Sequence, residues 1–311
     1  MLPFPRLTTI PNGPTFLQGT ENGRPRAREY TLATFSKKEN QARFSRHPMA
    51  STRKRGFVTE RIPCSDLSNK ETVNVWLADL DDRSIPKAAL DSILSADELE
   101  RASRFVFETD AWHFKLCRAM LRVGLALHLG KPAKGIPIRT AEKGKPYLDD
   151  DGIHFNVSHC GGTGLLAFTR AGEIGVDVEA VRPEVEGLEI AAQSFHAHEI
   201  EFIAAADGVE EQARRFTSLW TRKEAVLKAT GSGIVDGLNT FDVSTGMQTT
   251  VRSETPSDKA KEITFIVQNI EINESTFGAI AGPDCHWTVC QSGINPGNLL
   301  ACVLAELPRL V

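Results

Sequence analysis

Two short stretches hold residues whose types and spacing could do chemistry together. The first is Asp177-Val178-Glu179. In an extended strand, residues i and i+2 share a face, so both carboxylates point one way while Val176 and Val178 face a core. Neighbouring carboxylates repel, and a cation between them relieves the repulsion. Hard oxygen ligands suit Mg²⁺, which takes one or two carboxylates and fills its octahedron with water and phosphate oxygens. Alone, the pair also fits the solvated face of an edge strand. The second stretch is Phe216–Lys228, FTSLWTRKEAVLK, which has no Gly or Pro and reads as a helix. Trp220, Glu224 and Lys228 recur every four residues along one face. An ordinary Glu224–Lys228 pair at that spacing contributes only ~0.2–0.5 kcal/mol.

Other groups could join them. Ser158 and His159 are adjacent, so in a strand they point to opposite faces and cannot act as a nucleophile–base pair. No GxSxG elbow surrounds Ser158, which argues against a serine hydrolase. His159 precedes Gly161-Gly162, which fits a loop that approaches a ligand closely. Lys143, Lys145, Arg118, Arg122 and Lys223 supply the positive charge that phosphate recognition needs.

The elements that must position these groups follow from pattern. Val73–Leu80 alternates as a strand. Ser95 with Glu98 three residues on is a capping box that opens a helix. Asp110–Leu129 is a longer helix with a stripe at Leu116, Met120, Val123 and Leu127, stopped by Gly130 and Pro132. Three short strands, 153–159, 165–169 and 174–179, are expected to form a meander. Helices are expected over 187–195 and 197–206, before the Phe216–Lys228 helix that Gly231 and Gly233 stop. Strands are expected at 241–243, 263–272, 277–281, 287–291 and 299–304, and a polar, irregular surface insertion at 246–262. The fold class is α+β, with residues 71–182 and 183–311 as N- and C-terminal α+β halves. Residues 1–70 are rich in Pro, Gly, Ser, Thr and Arg, and Arg43–Arg55 contains no acid; they read as a disordered basic extension. A transit segment, or a start at Met49, are further readings of the same composition.

Bulk properties narrow the class. The 311 residues carry a net charge of −4, which gives no support to nucleic-acid binding. The six cysteines form no CxxC pair, so a reduced, cytoplasmic setting without structural zinc is expected. No run of 18 apolar residues occurs, so no membrane span is expected.

Read in order, GKPYL at 144–148, FNVSH at 155–159, IGVDVE at 174–179 and WTRKEAVLKATGSGI at 220–234 match one pattern. The chain resembles the 4′-phosphopantetheinyl transferase superfamily, in its larger, surfactin-synthetase-activating type, over roughly Val73 to Leu307. The resemblance implies two similar α+β halves forming an intrachain pseudo-dimer with the active site between them. It implies a monomer that moves 4′-phosphopantetheine from coenzyme A to a serine of an apo acyl or peptidyl carrier protein, as a Mg²⁺-dependent holo-acyl-carrier-protein synthase. The second product is adenosine 3′,5′-bisphosphate. Asp177, Glu179 and Glu224 match the metal-binding carboxylates. Lys145, Ser158, His159, Lys223 and Lys228 match coenzyme-binding positions, with Lys228 expected on the pyrophosphate. Glu224 and Lys228 are the expected catalytic pair, Glu224 as base for the acceptor serine. Glu199 resembles a further family carboxylate. Two positions depart from the pattern: His113 stands where a coenzyme-binding arginine is common, with Arg118 beyond it, and Glu98 stands where a lysine can occur. A non-catalytic coenzyme A or nucleotide-binding protein of the same fold is the alternative, and a Mg²⁺-dependent nucleotide hydrolase a second rival.

Overall fold

The computed structural model describes residues 72–306, apart from 142–143, 150–151, 232–236, 256–257 and 284–287. The extension expected over 1–70 lies outside the described residues, as does Lys143. In chain order the elements are β1 (Thr72–Asp79), α1 (Lys87–Ile93), α2 (Ala96–Ser103), α3 (Glu108–Leu129), β2 (Arg139–Thr140), β3 (Pro146–Tyr147), β4 (His154–Cys160), β5 (Thr163–Thr169), β6 (Gly175–Ala180), α4 (Gly187–Ser194), α5 (Ala197–Ala204), α6 (Val209–Thr230), β7 (Gln248–Thr255), β8 (Asp258–Asn273), β9 (Thr276–Pro283), β10 (Thr288–Ile294) and α7 (Pro296–Glu306). The architecture is α+β with two domain-like halves.

One sheet has the order β10-β1-β5-β4 and the other β6-β9-β8-β7. The expected three-strand meander is therefore corrected: β4 and β5 form a hairpin, but β6 leaves for the other sheet and pairs antiparallel with β9. In return β10 crosses back to pair parallel with β1. The two faces of β1 explain the layering. Trp76 and Ala78 join the helix-side core with Leu116, Met120, Phe168 and Leu300. Val73 and Val75 face the other way, onto Leu165, Val176, Val178, Ile270 and Ile280. A strand buried on both faces loses its polar alternation, which suits its position inside the sheet.

Three further expectations are corrected. Residues 299–304 are helical, within α7, because Pro296 starts the helix without needing an amide donor and Asn295 Oδ1 caps Asn298 N at 2.8 Å. A short apolar run cannot by itself distinguish strand from helix. The polar 246–262 segment contains β7 and the start of β8, a hairpin at the edge of its sheet. Polar side chains are what an edge strand needs to avoid further pairing. Residues 241–243 lie outside any ladder; side chains satisfy their backbone instead. Lys223 Nζ donates to Phe241 O (2.8 Å), Val243 N donates to Glu199 Oε1 (2.8 Å), and Arg222 Nε donates to Val243 O (2.7 Å).

Lys223 was expected on the coenzyme, and its geometry corrects that reading. It is fully buried, with Nζ 2.8 Å from Glu199 Oε2, 2.7 Å from Leu238 O and 4.1 Å from the Phe241 ring centroid. Glu199 is equally buried and also closes the cap of α5 through His196 N. All donors and acceptors of this pair are directed inward, so it ties α6 to α5 and to the 241–243 segment. Trp220 packs one turn away, its ring 5.7 Å from Phe216 and 6.1 Å from Phe195. Removing one partner of such a buried pair strands the other charge. Glu199→Ala is expected to lose about 3–5 kcal/mol in urea unfolding, and Lys223→Met combined with Glu199→Leu to lose clearly less than the two single losses summed, although His196 N, Val243 N, Leu238 O and Phe241 O are then left unanswered. Strictly additive losses would contradict the assignment.

Among the described glycines, Gly175 of β6 has the closest backbone neighbours, and they belong to α6. A Cβ on Gly175 would stand 2.0 Å from Ala225 O and 2.4 Å from Ala229 N, both backbone atoms that cannot turn aside. Only glycine lets the strand lie this close to the helix. Gly175→Ala is therefore expected to lower the unfolding free energy by at least ~1–3 kcal/mol. A variant with unchanged thermal stability would show that the contact is looser than described.

Candidate active site

The Gly175 contact sets β6 flat on α6 and turns Asp177 and Glu179 toward that helix, while Val176 and Val178 fill the core behind them. Asp177, Glu179 and Glu224 are all buried, at 1%, 4% and 6% exposure. The solvated-face reading of Asp177 and Glu179 therefore does not hold. Burial first, and then the charge of Asp177, push the Glu179 carboxyl up to about 7. The same two causes in the same order raise Glu224, with Lys228 opposing them. Three buried acids thus share one region, and a lysine, together with Arg182 near Glu179, partly offsets their charge.

That lysine is Lys228, one helical turn after Glu224. Its Nζ lies 2.5 Å from Asp177 Oδ1 and 3.0 Å from Ser158 Oγ, and Ser158 Oγ donates to the same Asp177 oxygen at 2.9 Å. The second oxygen, Asp177 Oδ2, is buried with no hydrogen-bond partner, and so is Glu224 Oε1. A buried carboxylate oxygen without a donor is costly unless something positive completes it. A hard divalent cation meets that need. The residues present therefore fit the metal that the carboxylate pattern implies.

Strand β4 supplies the opposite wall. Asn156 and Ser158 share a face and reach across to β6: Asn156 Oδ1 accepts Val176 N at 2.9 Å, and Ser158 binds Asp177. Side chains, not a ladder, thus join these strands of the two sheets. His159 points elsewhere, as strand alternation requires. Burial, then the charges of His113 and Lys228, hold its imidazole below the usual value. His113 is buried with Nε2 2.8 Å from Asp81 Oδ1.

Lys145 borders a cleft of about 460 Å³ lined by Tyr147, His154, Phe155, Glu173 and Gly231, the residue that ends α6. Its Nζ lies 2.6 Å from Glu173 Oε2 and 3.2 Å from Ile174 O. Burial would raise Glu173, but its bonds from His154 and Lys145 outweigh burial and hold it at about 2. The cleft is thus walled by a fixed carboxylate–lysine–histidine set at the C-terminal end of α6. Arg118 stands in a different cluster: its Nε is 3.4 Å from Glu98 Oε1, and Arg122 Nε is 2.6 Å from Glu98 Oε2. Glu98 and the two arginines compensate one another there, which accounts for an acid at that position.

Sequence reasoning singled out Asp177, Glu179, Glu224, Lys228, Ser158 and His159, and the fold gathers these around the β4–β6–α6 junction. Lys223 is withdrawn into the core, and Arg118 is paired with Glu98. Reasoning from sequence missed Asn156, Glu173, His154 and Asp81. Only Asn156 left a trace, at spacing two from Ser158.

Comparison with known proteins gives the family. Residues 173–276 match the family model described as 4′-phosphopantetheinyl transferase superfamily, and residues 86–170 match the one described as 4′-phosphopantetheinyl transferase, N-terminal. A putative 4′-phosphopantetheinyl transferase of Synechocystis is 36% identical over 168 residues, covering 53% of this chain and 67% of that protein. The 4′-phosphopantetheinyl transferase HetI of Nostoc is 34% identical, covering 53% and 70%. The 4′-phosphopantetheinyl transferase Sfp of Bacillus subtilis is 32% identical over 166 residues, covering 53% and 72%. A chain that matches the family's two models over residues 86–170 and 173–276, and that covers two thirds or more of relatives 32–36% identical to it, belongs to the 4′-phosphopantetheinyl transferase superfamily, in its Sfp-like type.

Proposed function

We propose that this chain transfers 4′-phosphopantetheine from coenzyme A to a serine hydroxyl of an apo acyl or peptidyl carrier protein, with adenosine 3′,5′-bisphosphate as second product. This is the chemistry of a holo-acyl-carrier-protein synthase, and we read the chain as a cytoplasmic monomer that carries it out alone. Family membership supports the reaction type. The single observation that supports the site is the pair of partnerless buried oxygens, Asp177 Oδ2 and Glu224 Oε1, on facing elements.

Asp177, Glu179 and Glu224 would hold Mg²⁺. When bound, it neutralises negative charge on the pyrophosphate and on the leaving bisphosphate. Lys228 supplies a second, fixed positive charge on a side chain only 14% exposed, so a phosphate oxygen meets it largely out of water. Its present partners, Asp177 and Ser158, hold the ammonium at the junction before any substrate arrives. Ser158 positions both Lys228 and Asp177. Lys145, with the cleft beside it, suits the 3′-phosphate end of the coenzyme, and His113 and His159 are kept as further coenzyme contacts on the family resemblance alone. Arg118 would serve there only by giving up Glu98. Glu224, whose carboxyl is raised by burial and by Asp177, is poised to take the proton of the acceptor serine as its oxygen attacks phosphorus. Attack forms the serine O–P bond and breaks the bond from phosphorus to the bisphosphate oxygen. Most of the rate would come from positioning and fixed charge.

Labelling of a panel of apo carrier proteins with fluorescent coenzyme A tests this reading. The wild-type chain is expected to label at least one carrier in Mg²⁺ and none in excess chelator. Glu224→Ala and Asp177→Ala are each expected to lose on the order of 10²–10⁴-fold in kcat/KM while remaining folded. No labelling of any carrier, together with tight binding of coenzyme A, would favour a non-catalytic binding protein. Normal transfer by either variant would remove that residue from the mechanism.

A further inference from the structure

A second cluster of ligating side chains lies away from the acidic junction. His196 is the N-cap of α5, His198 follows two residues on, and Asp242 lies in the unladdered segment that Glu199 and Lys223 hold. One ligand atom from each of the three lies within 4.8 Å of the others. His198 Nδ1 is 3.3 Å from Asp242 Oδ2. Two ligands on a tetrahedral ion with bonds of ~2.0–2.1 Å stand about that far apart. The two imidazoles meet edge to face, 4.9 Å between centroids.

The carboxylate is aimed. Asp242 Oδ1 accepts Ser244 N at 2.8 Å and Ser244 Oγ at 2.6 Å, which turns Oδ2 toward the histidines. Such outer bonds are how proteins fix a ligating carboxylate. The backbone is fixed as well. Glu199, on α5 itself, accepts Val243 N next to Asp242, so the segments carrying the ligands are already joined through a buried contact. The His198 side chain is 68% exposed, which leaves an approach for an ion and for water. The positive end of α5 opposes a cation. The full negative charge of Asp242 acts against that.

We propose that His196, His198 and Asp242 form a site for a borderline divalent transition metal of the Zn²⁺ class, with a fourth position open to solvent. Two nitrogens and one carboxylate oxygen select Zn²⁺, Co²⁺ or Ni²⁺ over Mg²⁺, which prefers an all-oxygen shell. The site is therefore separate from the acidic junction in both place and metal. Its bound ion clasps the start of α5 to the segment after Gly237, and that segment rests on Lys223, the neighbour of Glu224 on α6.

Titration of the full chain with Co²⁺ in excess Mg²⁺, read by visible d–d absorption, tests the proposal without reference to activity. About one equivalent of Co²⁺ is expected to give a tetrahedral-type spectrum that Zn²⁺ displaces. His198→Ala and Asp242→Asn are each expected to weaken binding at least ~10-fold. Ser244→Ala is expected to weaken it by on the order of 10-fold while the spectrum keeps its shape. Zn²⁺ is expected to raise the melting temperature of the wild type and not of His198→Ala. Unchanged Co²⁺ affinity in both ligand variants, or no spectrum with wild type at millimolar Co²⁺, would overturn the site. Melting of each variant without metal separates loss of the site from loss of the fold.

Discussion

The seating of β6 on α6 through Gly175 is the constraint on which the rest depends. With no side chain there, strand and helix backbones approach to a distance that any Cβ would block. Strand alternation then turns Asp177 and Glu179 onto the helix, and helical periodicity presents Glu224 and Lys228 from the other side. Each periodicity is elementary. Their meeting at the right depth requires the bare glycine between them.

Chain exchange between the sheets places that contact at a junction. β6 joins the second sheet while β10 returns to the first. β4 and β6 carry no ladder between them, and Asn156 and Ser158 bridge them instead. A side-chain bridge can orient a carboxylate where a ladder could not, and Ser158 does so for Asp177. Electrostatics completes the arrangement. Three buried acids, only partly offset by Lys228 and Arg182, leave two carboxylate oxygens without donors, which is strained alone and matched by a divalent cation. The Lys223–Glu199 pair, one residue away along the helix, has every group answered internally and is structural. Lys223 and Lys228, five residues apart in one motif, thus have opposite fates because the helix turns them to different environments.

Much of this was legible in the sequence where a local period decides the outcome. The capping box at Ser95 and Glu98, the shared faces of Asp177 with Glu179 and of Glu224 with Lys228, and the alternation that separates Ser158 from His159 all follow from one element's geometry. What was not legible depends on partners distant in the chain. Nothing local says that β6 leaves the meander, or that the backbone of 241–243 is answered by Glu199, Lys223 and Arg222 instead of a strand. The apolar run near Leu299 read as a strand because its Pro and Asn cap weighed less than its apolar residues. Lys223 read as a ligand residue because a motif fixes residue types without fixing depth. Asn156, His154 and Asp81 were missed for the same reason, since a polar side chain's task is set by what the fold brings opposite it.

The central claim is that Asp177, Glu179 and Glu224 share one divalent ion at the β6–α6 junction. Crystals grown with Mn²⁺ and coenzyme A, measured for anomalous scattering at the manganese edge, test it most directly. The account predicts a peak ligated by oxygens of all three carboxylates, with Lys228 turned to a pyrophosphate oxygen. A peak that excludes Glu224, or coenzyme A bound with no ion between these acids, would contradict it.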